Sequence, residues 1–462
     1  MTCVRALALL GLLAWMGCGP PGPRVLVDTA GQGALDRSEG LDPGVAASCP
    51  RSPVEELQCA ILGGPTGEHG PFHVVLSALG VAGRHPGAGL GTHLLSLDHP
   101  LELGRPVVLA SAPGDSRGAS QGGAVAVVAM DDRGALVVLA EVIGNLDGGL
   151  LRALSLAEDI DLDGVPDVVF GAPGADLGRG RAYVVSGAKL AVGATLRLPD
   201  DALVELQGVT VGAALGSAAA VPHHPTSLDG TLLIGAVDAG AVWVFPMDTV
   251  RAAVGEVLTT EHARGRLHDG HGLGADIVAL STGTYFLRSD RADVVVLSPT
   301  GRLVPLAPTP GAHSIERLEM ADGEELLGIS GSSGWLYSPR TGGMAAVVHN
   351  PGGAVIGDLV ALPDLDGDGL GEVGASSAWV DTVGTGMVGI VRGARRTGGR
   401  AVTLDAAWRR AVSPDPAADL GATLAGLPDG GGRAALLTGG PRAGGAGMDA
   451  GRVVPWVWLE PG

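Results

Sequence analysis

Residues 159–185 read DIDLDGVPDVVFGAPGADLGRGRAYVV. An acidic loop, an apolar strand ending in small residues, a glycine-rich turn and a second apolar strand follow one another in that order. Asp159, Asp161, Asp163 and Asp167 hold positions one, three, five and nine of the loop, and Gly164 permits the sharp turn. The β-branched and aromatic residues on either side of the turn are those that favour strands.

The same order recurs from about residue 85 onward. An aliphatic-Gly step opens the units at Leu90-Gly91, Leu215-Gly216, Leu273-Gly274, Ile356-Gly357 and Leu420-Gly421, with weaker versions at Gly148-Gly149 and near Gly311. The third strand is the clearest element, at 124–130, 181–186, 241–245, 293–297, 334–337, 387–391 and 452–459. Seven units at a spacing of roughly 40 to 65 residues suit propeller blades with variable loops. The apolar runs fit sheets buried on both faces. The expected fold is therefore all-β, a seven-bladed β-propeller; a β-helix has much shorter repeats, and a sandwich would not produce seven matching units.

The expected organisation is a signal peptide at 1–17, a Pro/Gly-rich linker with a small disulfide loop at 18–64, and the propeller at 65–462. The chain ends on the third strand of unit seven, which leaves that blade one strand short. The apolar segment 72–79 is predicted to close it, removing an exposed edge.

Phe170-Gly171-Ala172-Pro173 after an aspartate loop, followed by Gly180-Arg181-Ala182-Tyr183-Val184-Val185, resembles an FG-GAP repeat of the integrin alpha propeller family. The resemblance covers roughly residues 85–462 and is strongest in unit two, since most units carry Leu-Gly or Ile-Gly in place of Phe-Gly. It implies a binding or adhesion module with ions held in hairpin turns.

A second loop, Asp364-Leu365-Asp366-Gly367-Asp368-Gly369-Leu370-Gly371-Glu372, repeats the spacing of the first. A hard cation takes six to eight oxygens, and alternate residues of a curved backbone can supply them. Two Ca2+ sites are expected. One would use Asp159, Asp161, Asp163, Asp167 and the Val165 carbonyl; the other would use Asp364, Asp366, Asp368, Glu372 and the Leu370 carbonyl. An EF-hand is excluded because its twelfth position is Phe170 in one loop and Ala375 in the other. Solvated acidic turns are the alternative.

At the amino terminus, Arg5 precedes the apolar run Ala6–Met16, too short to span a bilayer and typical of a secretory signal. Cys18, followed by Gly19-Pro20-Pro21-Gly22-Pro23, resembles a bacterial lipoprotein signal with a lipidated cysteine; ordinary cleavage nearby is the alternative. The expected location is the cell envelope, lipid-anchored to the outer membrane or cell surface, or otherwise periplasmic or secreted. Cys49 and Cys59 suggest a disulfide in an oxidising compartment, with two free thiols as the alternative.

With 49 acidic against 30 basic residues, the net charge of -19 argues against a phosphate-binding surface, so nucleic acid is not an expected partner. The expected role is a monomeric, non-catalytic scaffold whose loops bind a protein or glycan. A propeller hydrolase or lyase with a site in the central channel is one alternative, and a structural envelope lipoprotein is another. The enzyme reading needs polar groups converging on the axis. The dense charged group Glu316, Arg317, Glu319 and Glu324 is the sequence's one candidate, against a solvated loop. Ser281 lacks a recognisable base partner, and His223, His224, His268 and His271 read as loop histidines.

Overall fold

The computed structural model describes residues 25–28, 73–76 and 80–457, apart from 98–100, 133, 222–229, 269–271, 282–283, 290, 292, 298–301, 307–310, 351–354, 366, 378–385, 394–399, 405–408, 413–419, 429–433 and 444–447. The signal segment, Cys18, Cys49 and Cys59 lie outside the described residues, as do His223, His224 and His271.

Seven sheets follow one another along the chain; six have four antiparallel strands in sequence order, and the seventh takes its fourth strand from ahead of blade 1. Blade 1 holds His93–Leu97, Val107–Ala112, Ala124–Met130 and Leu136–Gly144. Blade 2 holds Arg152–Leu156, Val168–Ala172, Arg181–Val185 and Val204–Gln207. The first strands of blades 3 to 7 are Leu215–Ala220, Leu273–Ala279, Ser314–Glu319, Leu359–Ala361 and Thr423–Pro428. All seven segments read as third strands occupy that place in their sheets.

The first strand of every blade touches the first strands of both neighbours, blade 7 meeting blade 1, so the seven close a ring around an axis. Arg452–Val457 is the third strand of blade 7, and His73–Leu76 pairs antiparallel with it as the fourth. Val25–Asp28, within the stretch read as linker, adds a further strand outside His73–Leu76. Parallel strands also cover the outer edges of blades 1, 2 and 5. Among the described residues no helix is long and apolar enough to cross a membrane.

Seven apolar clusters hold the ring, one at each interface between consecutive blades. Adjacent residues of one strand serve opposite interfaces: Val168 and Phe170 pack toward blade 1, Val169 toward blade 3. This is why the inner strands are continuous apolar runs rather than alternating ones.

Near the axis, backbones approach too closely for side chains. A Cβ on Gly171 would sit 2.1 Å from the Gly216 carbonyl oxygen of the next blade, and one on Gly235 would sit 2.3 Å from that of Gly274. Gly216 and Gly274 themselves have φ of 86° and 103°, where only glycine is unstrained. The aliphatic-Gly step is thus the point where one blade lays its backbone on the last.

Two steps fall elsewhere than the sequence suggested. A glycine before the third strand bridges to the leucine opening the next blade: Gly451 to Leu90, Gly123 to Leu151 and Gly180 to Leu215. Blade 2 therefore opens at Leu151-Arg152, not Gly148-Gly149. In blade 5 the His313 N–H donates to the Ser330 carbonyl, as Gly421 does to Gly439, so the step there is Ala312-His313. Periodicity misplaced both because the glycine itself is replaced.

Gly171→Ala and Gly235→Ala should each lower unfolding free energy by about 1–3 kcal/mol through overpacking. Gly265→Ala, on an outer strand with nothing within 4 Å, should shift it by less than about 1 kcal/mol. Urea unfolding of the three variants checks this.

Candidate functional site

The first acidic loop joins Arg152–Leu156 to Val168–Ala172, and the second joins Leu359–Ala361 to Val373–Ser377. Both connect the first and second strands of their blades. In each, the position-nine carboxylate is fully buried: Asp167 and Glu372 have no exposed surface. Asp167 accepts the Ile160 N–H at 2.8 Å and the Gly187 N–H at 3.2 Å. Glu372 accepts the matching Leu365 N–H at 2.5 Å and Gly393 N–H at 3.2 Å. The position-one residues close the turn: Asp159 accepts from Asp163 and Gly164, and Asp364 from Gly367, Asp368 and Gly369.

The carboxylates that converge differ between the loops. In the first, Asp159, Asp161 and Asp167 bring one oxygen each within 4.8 Å of one another; in the second, Asp364, Asp368 and Glu372 do so. Asp163 is not part of the first trio, because its oxygens accept from the Val165 N–H and the Ser186 hydroxyl. Val165 is buried beside it, and the Leu370 N–H is held by Asp368 in the same way. Asp366 lies outside the described residues.

Asp161 Oδ1 is buried with no hydrogen-bond partner among the described residues. A carboxylate oxygen without water or a donor costs free energy unless a cation meets it. Burial, opposed by the Ile160 and Gly187 hydrogen bonds and reinforced by the Asp161 and Asp159 charges, pushes the Asp167 carboxyl up to about 7. Three oxygens, one orphaned and one under electrostatic pressure, fit a hard cation.

The second polar feature lies at the opposite end of the first strands, on the axis. Arg152 of blade 2 reaches His93 Nε2 of blade 1 at 3.2 Å and donates to the Ser217 carbonyl of blade 3. Asp276 of blade 4 is paired with Arg288 at 2.6 Å. Glu316 of blade 5 accepts from the Ser314 hydroxyl at 3.1 Å, and Asp358, opening blade 6, accepts from the Leu359 and Leu424 N–H groups.

Enclosure by the ring dominates their ionisation. It raises the Asp276 carboxyl despite Arg288, and raises Glu316 well above the usual range, with Asp358 and Asp276 adding repulsion. It takes Asp358 up to about 7 against the pull of its two hydrogen bonds. It takes His93 down to about 3, with Arg152 opposing protonation further. Asp276 responds to Arg152 of blade 2 and His313 of blade 5, which the strands bring together only around the axis.

The charged group noted in the sequence is divided by the strand that carries it. Glu316 turns to the axis. Arg317 pairs instead with Glu325 at 2.5 Å and Glu319 at 3.1 Å, while Glu324 accepts from Ser338. Ser281 bonds Glu325 through both its N–H and its hydroxyl.

Residues 151–185, spanning the first acidic loop and the three inner strands of blade 2, match the family model described as FG-GAP repeat. The chain is a seven-bladed β-propeller with an FG-GAP repeat in blade 2. No curated protein sequence matches it. Among solved structures, BBS1N in complex with ARL6DN is similar at 10% identity over 82% of this chain and 93% of that chain, with a TM-score of 0.44 in a mercury-soaked form. The lead-soaked form gives 11%, 82%, 94% and 0.47. Raptor of Chaetomium thermophilum gives 10% identity over 83% of this chain and 29% of that chain, at 0.47. Likeness this remote says nothing about function.

A carboxyl raised in the folded state resists ionisation more than in the unfolded chain, so its contribution to stability is largest at low pH and falls as pH rises toward the folded value. Between an ordinary 3.8 and about 7, Asp358 should therefore lower stability with rising pH, and Glu316 should act in the same direction. Glu316→Gln should flatten the slope of urea-unfolding free energy between pH 5 and 7 relative to the wild type. An unchanged slope would contradict the axial placement of this carboxyl.

Proposed function

We propose that this chain is a calcium-stabilised, non-catalytic binding or adhesion scaffold exported to the bacterial cell envelope. The orphaned Asp161 Oδ1 beside Asp159 and Asp167 is the observation that carries the calcium reading. Calcium suits an all-oxygen donor set, and Asp159, Asp161 and Asp167 would hold it in blade 2, Asp364, Asp368 and Glu372 in blade 6. The bound ion would supply the positive charge that buried carboxylates lack. The chain's part is to present them, with backbone N–H groups fixing the position-one and position-nine side chains in each loop.

The scaffold reading is supported by the FG-GAP repeat and by the architecture, a closed ring of seven blades joined by loops. Those loops would meet a protein or glycan partner. With only seven Trp, three Tyr and four Phe in the chain, carbohydrate stacking is the less favoured mode. Export and anchoring are proposed from the amino terminus, with Cys18 as the lipidated residue and the membrane engaged only through that lipid.

A ligand bound only by the native state raises stability by about 2.7 kcal/mol at one hundred times its dissociation constant. Calcium should accordingly raise Tm over the chelated protein, and calorimetric titration should count two sites. Asp161→Asn should remove one site and Asp368→Asn the other. Equal Tm values with calcium and with chelator would refute the metal reading. Metabolic labelling with radioactive palmitate checks the anchor: wild type should incorporate label and Cys18→Ala should not.

A further inference from the structure

Three blades carry a fifth strand laid parallel to their fourth: Thr195–Leu198 on blade 1, Val257–Thr259 on blade 2 and Arg400–Thr403 on blade 5. Each comes from the connection between the third and fourth strands of the blade that follows. Blade 3 breaks this rule. Its supplier would be the connection of blade 4 between Leu297 and Leu303, far shorter than 186–203, 247–264 and 392–408, the stretches that reach back to blades 1, 2 and 5.

The fourth strand of blade 3, Gly265–His268, is therefore an open edge, and among the described residues nothing pairs beyond it. Three of its four residues are exposed, whereas the fourth strands of blades 1, 2 and 5, which carry a fifth, have no exposed residue. Such an edge presents unpaired N–H and C=O groups, the arrangement that takes on a further strand. Blade 4 also ends on its fourth strand, but that strand is Leu303–Pro305, and Pro305 has no N–H to give. The fourth strand of blade 6, Arg409–Val412, lies against His73–Leu76 of blade 7.

The edge of blade 3 is also basic, in a chain of net charge -19. Arg264, Arg266 and His268 are exposed, and among the described residues neither arginine enters an ion pair, not even with Glu256 or Glu261 in the connection leading to the strand. Arg266 stands opposite Trp243 in the sheet, its guanidinium 5.8 Å from the centre of that ring, while Leu267 turns to the other face and packs toward blade 4. An open edge selects an extended backbone, and unpaired guanidiniums beside it select carboxylates. A nucleic acid would meet the same arginines but also the repulsion of the remaining acidic surface.

We propose that the outer edge of blade 3 binds an extended acidic segment of a protein partner as a fifth strand parallel to Gly265–His268, its carboxylates meeting Arg264 and Arg266. The partner would supply from outside what the following blade supplies to blades 1, 2 and 5. Main-chain pairing gives this contact its affinity, and the arginines give it its preference for acidic side chains. The surface is separate from the two acidic loops, so it stands or falls independently of calcium.

Calorimetric titration of the full chain with the blocked peptide acetyl-EVEVEVE-amide tests the proposal. It should bind with a dissociation constant below about 1 mM. The basic counterpart acetyl-KVKVKVK-amide, and the acidic peptide N-methylated at every residue so that it cannot donate to the edge, should each bind at least about tenfold more weakly. Arg266→Glu, at an exposed position, should weaken binding of the acidic peptide by at least about tenfold, while Arg340→Glu, the same charge change at an exposed turn of blade 5, should leave it unchanged. Melting curves establish that both variants are folded. The proposal is overturned if the acidic peptide fails to bind below about 1 mM, if the N-methylated peptide binds as well, if folded Arg266→Glu retains full affinity, or if Arg340→Glu weakens binding as much. A dimer in sedimentation that Arg266→Glu dissociates would also overturn it, because a second copy would then hold the edge.

Discussion

The ring depends on how closely one blade's backbone can lie on the next. Near the axis seven first strands share little space, and the structure uses glycine against glycine there: Gly171 against Gly216 and Gly235 against Gly274. A Cβ at Gly171 or Gly235 would overlap a carbonyl oxygen of the following blade, so small residues in the second strand and a left-handed glycine in the next opening step are one requirement seen from two sides. Farther out, where spacing relaxes, Val, Leu, Phe and Tyr side chains fill the interfaces.

That constraint also separates two kinds of polar site. The acidic loops lie at the far ends of the first strands, where the chain has room to curl a nine-residue turn around its own N–H groups. The channel mouth lies where the strands begin, and there a long side chain must point to the axis because the neighbouring blade occupies the other directions. Arg152, at a glycine's place, reaches blades 1 and 3 at once. Carboxylates entering that space lose much of their hydration, and their ionisation responds to groups one or two blades away.

The third strands were legible because each is buried on both faces and so forms an apolar run that no turn interrupts. The loops were legible because their carboxylates fall within nine consecutive residues. Which oxygens meet was not: Asp163 is drawn away partly by Ser186, beyond the third strand, while Asp368 at the matching position stays with its trio. The openings of blades 2 and 5 were misread because their signal was the missing glycine, and only strand pairing locates Arg152 and His313 there. Glu316 and Arg317 were read as one charged group, although neighbours on a strand face opposite sides.

The sequence by itself determined the repeat, the all-β character and the two acidic turns, since strand burial patterns and turn chemistry are set by residues within about ten positions of one another. The tertiary structure alone decided what stands on the axis. Arg152, Asp276, Glu316 and Asp358 come from four blades, and no local spacing links them. They meet because ring closure turns each blade's opening residues toward one point, and that geometry belongs to all seven blades together.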